Sequence, residues 1–191
     1  ILTKSRTTQT SAQVTWRNNH STDPASATYA PEIRVQVYAL KLDGTWEHIK
    51  TESVSGAYTA IDVTGLTTDR AYTLGIYAVN GESGESDKAW TGAIYPVPVA
   101  PTNCTSVRNS DARNTVSWSS TAPRYQGTSH LIERSTSGGT WTQIASVPAS
   151  TTSYVDNTTT ANNWYRYRVR TQFGDKRSGY ATSGITSNTP G

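Results

Sequence analysis

The chain has 191 residues, a formal net charge of +3 and a pI of about 9.0. This basic excess is small for the length, and the basic residues are not gathered into blocks except between Arg166 and Arg170, so no nucleic-acid partner is expected. One cysteine excludes an intrachain disulfide, and the lack of an apolar stretch of about 18 residues argues against membrane insertion. The absence of methionine predicts a processed chain or a piece of a longer one.

The first half of the chain predicts a series of short strands. No window shows sustained apolar spacing at i, i+3 and i+4, and β-branched and aromatic residues are abundant. Turns are indicated at Asp43-Gly44, at Gly65 and at the Gly-Glu-Ser-Gly run, because glycine adopts positive φ readily. The pattern predicts an all-β fold, with these candidate strands in chain order: 14–16, 33–42, 46–53, 58–63, 72–80 and 89–95.

The second half of the chain repeats the first. Val14 and Trp16 align with Val116 and Trp118 without a gap, and the GTW of residues 44–46 matches the GTW of residues 139–141. Between the copies runs PVPVAP, whose alternating prolines favour an extended, semi-rigid segment. The repeat predicts two modules, residues 1–97 and residues 98–191.

The repeated pattern resembles the fibronectin type III module. It is carried by a tryptophan on the second strand of each copy, by a leucine followed six residues later by tyrosine in GLTTDRAY, and by the strands Y-x-L-x-I and Y-x-Y-x-V. The resemblance implies two consecutive immunoglobulin-like β-sandwiches of about seven strands each. It also implies a structural core that contains Trp16, Trp118, Leu66, Tyr72, Tyr165 and Tyr167.

The leucine and tyrosine of GLTTDRAY, Leu66 and Tyr72, resemble the tyrosine corner of these sandwiches. In that motif the ring packs inward and its hydroxyl bonds back to the preceding turn. The second copy carries Thr159 where the equivalent leucine is expected before Tyr165. We therefore expect a looser corner in the second copy.

A narrower resemblance is to the tandem repeats in minor tail proteins of phages that infect actinobacteria. It rests on PTNCTSVRNSDARNTVSW, IERSTSGGTW, TSYVDN and NWYRYRVRTQFGDKRS. It implies a location in the virion, otherwise secreted or at the cell surface. The partners it implies are other virion or tail subunits, including further copies of the chain, and host cell-surface polysaccharide. Secreted bacterial polysaccharide-degrading enzymes carry related accessory modules, which leaves a second interpretation open.

The stretch NNWYRYRVR supplies the candidate contact surface. Tyr165 and Tyr167 are expected to face the core, and the residues between them face outward because side chains alternate along a strand. Glu133 is expected to form an exposed ion pair with Arg166 or Arg168. The arginines of this strand are not expected to be needed by the fold, so reversing the charges of Arg166 and Arg168 is expected to leave it nearly intact. The outward set is a contact surface or an ordinary solvated sheet face: Trp164, Arg166, Arg168 and Arg170.

No catalytic group, metal site or cofactor is predicted. His20, His48 and His130 lack metal-ligand spacing. Cys104 aligns with an apolar position of the first copy and is expected to be buried, whereas Trp90 is expected to face outward. The leading hypothesis is a non-enzymatic structural and adhesive segment of a phage tail protein. The alternative is a pair of carbohydrate-binding or spacer modules of a secreted glycoside hydrolase or surface protein.

Overall fold

A computed structural model describes residues 2–19, 30–81 and 84–188. The regular structure of these residues is strand throughout, so none of them belongs to a helix that could span a membrane. The chain divides into two compact units, Ile1–Pro96 and Val97–Gly191, called module 1 and module 2 below. Each module is a sandwich of two antiparallel sheets.

The described part of module 1 forms a three-stranded and a five-stranded sheet. The smaller sheet has the order β1-β2-β5, and the larger has the order β4-β3-β6-β7, with β8 also pairing with β6. The strands are β1 (Thr3–Thr8), β2 (Ser11–Thr15), β3 (Glu32–Leu40), β4 (Trp46–Ser55), β5 (Ala60–Val63), β6 (Tyr72–Asn80), β7 (Gly84–Glu85) and β8 (Ala89–Trp90).

Module 2 repeats this arrangement in its described residues. Its smaller sheet has the order β13-β10-β9, and its larger sheet has the order β12-β11-β14-β15, with β16 and β17 also pairing with β14. The strands are β9 (Thr102–Ser110), β10 (Arg113–Ser119), β11 (Thr128–Thr136), β12 (Thr142–Pro148), β13 (Ser153–Asp156), β14 (Trp164–Phe173), β15 (Lys176–Arg177), β16 (Ala181–Thr182) and β17 (Thr186–Ser187).

The core of module 1 lies between its two sheets and is apolar. Alternate residues of β3 and β6 point inward, as the period of two along a strand requires. Trp16 packs against this core from its rim, half-buried, and its Nε1 donates a hydrogen bond to Asn18 Oδ1 at 2.8 Å. The fully or nearly fully buried residues include Val14, Val35, Val37, Leu66, Tyr72 and Leu74.

The core of module 2 contains a buried polar network beside its apolar residues. Tyr167 is fully buried, its hydroxyl donates to Asp156 Oδ2 at 3.0 Å, and Asn114 donates to that hydroxyl at 3.1 Å. Arg134 forms an ion pair with the same Asp156 oxygen at 2.8 Å. Burial alone would raise the pKa of Asp156, but hydrogen bonds from Thr158 and Arg134 outweigh it and hold that pKa below its usual value.

The tyrosine corner is formed in both modules. Thr67 donates its backbone N–H to Tyr72 Oη at 2.9 Å, and Thr160 donates its backbone N–H to Tyr165 Oη at 2.8 Å. The expectation of a looser second corner is wrong. Thr159 is buried like the leucine it replaces, and its hydroxyl donates to the Asp111 carbonyl at 3.2 Å, while the corner bond depends on the backbone of the next residue.

Candidate contact surfaces

The outward side of β14 in module 2 forms what we call the basic face. It comprises Trp164, Arg166, Arg168 and Arg170 with the groups they contact from neighbouring strands. Tyr165, Tyr167 and Val169 alternate with them and are buried. The four outward residues differ in exposure: Arg166 is exposed, and the other three are half-buried.

A buried carboxylate lies beneath the basic face. Glu133 on β11 is only 6% exposed, and Arg168 binds its Oε2 through Nη2 at 2.5 Å and through Nε at 2.7 Å. Its Oε1 accepts a hydrogen bond from Tyr180 at 2.7 Å and contacts Arg170 at 3.4 Å. Burial alone would raise the pKa of Glu133, yet the hydrogen bonds from Tyr180 and Arg168 hold it below its usual value.

Aromatic rings enclose the two arginines that bind Glu133. The Arg168 guanidinium lies 3.9 Å from the centre of the Tyr180 ring and 4.5 Å from that of Trp141, and Arg170 lies 4.7 Å from that of Tyr180. Stacking of this kind adds to the attraction of the carboxylate. Arg168 and Arg170 therefore contribute to the packing of the sheet as well as to the charge of its surface.

These contacts correct two expectations. Glu133 pairs with Arg168, one of the two expected alternatives, but the pair is not exposed, and Arg170 is a further partner that was not predicted. The expectation that the arginines of this strand are not needed by the fold is wrong for Arg168, because removing it would leave a buried carboxylate without its main partner. The cause is Tyr180, which lies just before β16, the strand that pairs with β14, and donates its hydroxyl to Glu133.

Arg166 and Arg177 are the exposed cations of the basic face. Within residues 2–19, 30–81 and 84–188, the Arg166 side chain makes no ion pair or hydrogen bond. Arg177 is the cross-strand partner of Gln172 and donates to its Oε1 at 3.2 Å. Together with the two arginines on Glu133, they place four guanidinium groups against one carboxylate, so this face carries a net positive charge.

Trp164, the aromatic member of the predicted surface, packs on a turn. A Cβ atom added to Gly138 would meet its ring at 3.1 Å. Gly138 has φ of 79° and Ser137 has φ of 46°, which is the left-handed backbone of the tight turn between β11 and β12. The Trp164 ring therefore closes one end of the basic face and leaves only part of its surface to solvent.

Module 1 carries a different structure on the corresponding side of its larger sheet, which we call the aromatic stripe. It consists of His48 on β4, Tyr38 on β3 and Trp90 on β8. The ring centres of Tyr38 and His48 are 5.2 Å apart and those of Tyr38 and Trp90 are 5.4 Å apart, both edge to face. Trp90 is 49% exposed, in line with the outward position expected for it.

Comparison with solved structures relates the whole chain to a known fold. The chain is similar to a segment of two fibronectin type-III domains from chicken tenascin, with 19% identity, a TM-score of 0.54, and coverage of 98% of this chain and 97% of that one. The chain has the fold of two tandem fibronectin type III domains. The FN1-FN3 domains of chicken CNTN1 match with 20% identity and a TM-score of 0.41, over 99% of this chain and 66% of that one. No family model and no curated protein matches the chain.

The remaining candidates lie inside module 2 or outside the described residues. Cys104 is buried, as expected, and burial raises the pKa of its thiol to about 11. His130 is fully buried with its ring edge-on to Trp118. His20 lies outside the described residues. Within the part of the chain that the structure describes, no three His, Cys, Asp or Glu residues are grouped to hold a metal ion.

Proposed function

We propose that the chain is a non-enzymatic structural and adhesive segment of a larger phage tail protein. In this role the two modules extend the particle and contact the host surface or neighbouring subunits, and the chain is located in the virion, otherwise secreted or at the cell surface. The tandem fibronectin type III fold supports a structural role, and the repeat motifs quoted above support the tail setting. No cofactor is part of the proposal.

The basic face is the observation that carries the adhesive part of the proposal. Guanidinium groups recognise phosphate and carboxylate with paired N–H donors, and here they lie among the rings of Trp141, Trp164 and Tyr180. A polymer that alternates sugar rings with anionic groups complements both features. We therefore propose an anionic host cell-surface polysaccharide as its ligand, and an acidic patch on a neighbouring subunit is the competing partner.

The charge of this face is a property of module 2 and not of the fold. The outward positions of β6 that correspond to the β14 arginines are Thr73, Gly75 and Tyr77, none of which is charged. Since the same sandwich forms without these arginines, their accumulation on one sheet supports a role in contact.

The alternative is a carbohydrate-binding or spacer module of a secreted glycoside hydrolase or surface protein. The exposed aromatic stripe of module 1 is the observation that favours it, because aromatic side chains on an open sheet are typical of contact surfaces.

The test is binding of the full chain to heparin and to polyphosphate at low and at moderate salt. The double substitution Arg166→Glu and Arg177→Glu removes the exposed cations of the face and leaves the Glu133 cluster in place. We expect about tenfold weaker binding at low salt, since exposed charges act through a screened field. The matched control, Arg113→Glu with Arg124→Glu, changes two exposed arginines outside the face. Equal binding by the two double variants would refute the proposal, and loss of particle assembly with polymer binding retained would point to the neighbouring subunit.

A further inference from the structure

The aromatic stripe of module 1 is held in place by the backbone beneath it. Gly75 pairs with Trp90 across β6 and β8, and a Cβ atom at Gly75 would meet the Trp90 ring at 3.0 Å. The ring therefore rests directly on the strand. Its edge-to-face contact with Tyr38, and that of Tyr38 with His48, fix the three rings relative to one another across the sheet.

The rings stay accessible although they are fixed. Trp90 keeps 49% of its surface exposed, and His48 is exposed as well. A tryptophan that is ordered by its neighbours and still open to solvent loses little conformational entropy when a ligand covers it. The stripe is therefore a preorganised surface for a flat, partly apolar ligand.

The groups beside the stripe are neutral. Gln36 is the cross-strand partner of Gly75, Thr73 is that of Tyr38, and Thr51 is hydrogen-bonded to His48 Nε2 at 3.0 Å. These side chains offer donors and acceptors without charge.

The cations that share this side of the sheet already have partners. Arg34 binds Glu32 at 3.1 Å, and the Lys88 ammonium lies 4.9 Å from the centre of the Tyr77 ring. A ring does not neutralise an ammonium group, so an anionic ligand would find the single charge of Lys88 here, against the four guanidinium groups of the basic face.

We propose that the aromatic stripe binds an uncharged polysaccharide. The C–H face of a pyranose ring packs on Trp90 and contacts Tyr38, whose ring is inclined at 64° to the indole, and its hydroxyl groups bond to Gln36, Thr73 and His48. Charge complementarity selects this ligand, because a neutral chain loses no ionic hydration on a neutral surface. The inference rests on the adhesive role proposed above and gives it a second ligand class on a second module.

The experiment is native electrophoresis of the full chain in gels cast with hydroxyethylcellulose, dextran or galactomannan. We expect retardation of the wild type in at least one gel, and about tenfold weaker affinity after Trp90→Ala or Tyr38→Ala. Tyr58→Ala is the matched control, because Tyr58 is 61% exposed on the same module and lies outside the stripe. Thermal melts identify any variant that fails to fold, and Gly75→Ala, which displaces the Trp90 ring without removing it, then serves in place of Trp90→Ala.

Three results would overturn the inference. The first is an unretarded wild type in all three gels, and the second is retardation that Trp90→Ala and Tyr38→Ala leave unchanged. The third is a dimer in light scattering that these substitutions dissociate without any retardation, which would make the stripe a contact between copies. The substitutions of Arg166 and Arg177 should leave retardation in neutral gels intact, so failure of this inference is separable from failure of the proposed anionic contact.

Discussion

The two modules share a fold but differ in what they bury. Among the described residues, the buried polar and charged side chains all belong to module 2. They include His130, Glu133 and Asp156, whereas module 1 buries apolar side chains and tyrosines. A buried charge costs free energy unless it is paired, so module 2 must supply partners that module 1 does not need.

The difference is clearest at one position of the larger sheet. In module 1, Gly75 lies between Gln36 and Trp90, and the glycine lets the indole ring rest on the strand. In module 2, Arg168 lies between Glu133 and Thr182 in the same pattern of pairing. The same site therefore accepts an aromatic ring or an ion pair, depending on the residues at these three paired positions.

The contrast between the two modules at this site is tested most directly by reversing the charge of Arg168. Arg168→Glu places a second carboxylate against Glu133 and should destabilise module 2 by about 2 to 4 kcal/mol. Arg166→Glu, two residues away and exposed, should change the free energy of unfolding by no more than about 0.5 kcal/mol. Urea unfolding of the full chain, followed by hydrogen exchange of peptides from each module, measures both. Equal effects of the two substitutions would show that the buried pair is not the distinguishing feature.

A smaller effect tests whether the tyrosine corners of the two modules are equally strong, as their hydrogen bonds indicate. Tyr72→Phe and Tyr165→Phe each remove one corner hydroxyl and should each cost about 0.5 to 1.5 kcal/mol in their own module. The denaturation midpoints of the two modules give the result. If only the first substitution has an effect, the second corner is weaker than its hydrogen bond indicates.

The close contact between Gly75 and the Trp90 ring in module 1 can also be tested by substitution. Gly75→Ala pushes the Trp90 ring off the strand and should destabilise module 1 by about 1 kcal/mol. Gly81→Ala is the control, since nothing lies within 4 Å of a Cβ atom there. The readout is the quenching of tryptophan fluorescence together with the midpoint of module 1. Equal destabilisation by both variants would show that the effect does not come from the Trp90 ring.

The smallest expected effect is a pH dependence confined to module 2. Burial lowers the pKa of His130 below 6.5, although a hydrogen bond from the imidazole to the Ala149 backbone opposes the shift. The unfolded chain then binds a proton more readily than the folded one, so the stability of module 2 should fall as pH drops below about 6.5. Melts between about pH 5 and pH 8 should show this slope in the wild type and lose it in His130→Leu. A slope that survives the substitution would rule out His130 as its source.

Strand alternation was enough to assign most of the fold from the sequence. It placed Tyr165 and Tyr167 inward and Arg166 outward, because a period of two is a local property. It could not show that Glu133 is covered, since that depends on Tyr180, which lies in the segment before β16 and is distant from Glu133 in sequence. The predicted strand at residues 89–95 is broken after Trp90, where Gly92 has φ of 66°.

The aromatic stripe was missed because its members are far apart in sequence. Tyr38, His48 and Trp90 lie on three strands, and neither spacing nor composition links them. One local signal was available: Gly75 interrupts the strand pattern Y-x-L-x-I, and a glycine inside a strand often marks a close approach by another group. The close approach here is that of the Trp90 ring.

The buried polar network of module 2 has a mechanical consequence. Asn114 and Asp156 belong to the smaller sheet, whereas Arg134 and Tyr167 belong to the larger one. Their hydrogen bonds and ion pair therefore connect the two sheets directly. Apolar contacts resist separation but slide easily, while directional bonds resist sliding as well. When module 2 is pulled along its strands, these bonds should therefore resist the sliding of one sheet over the other.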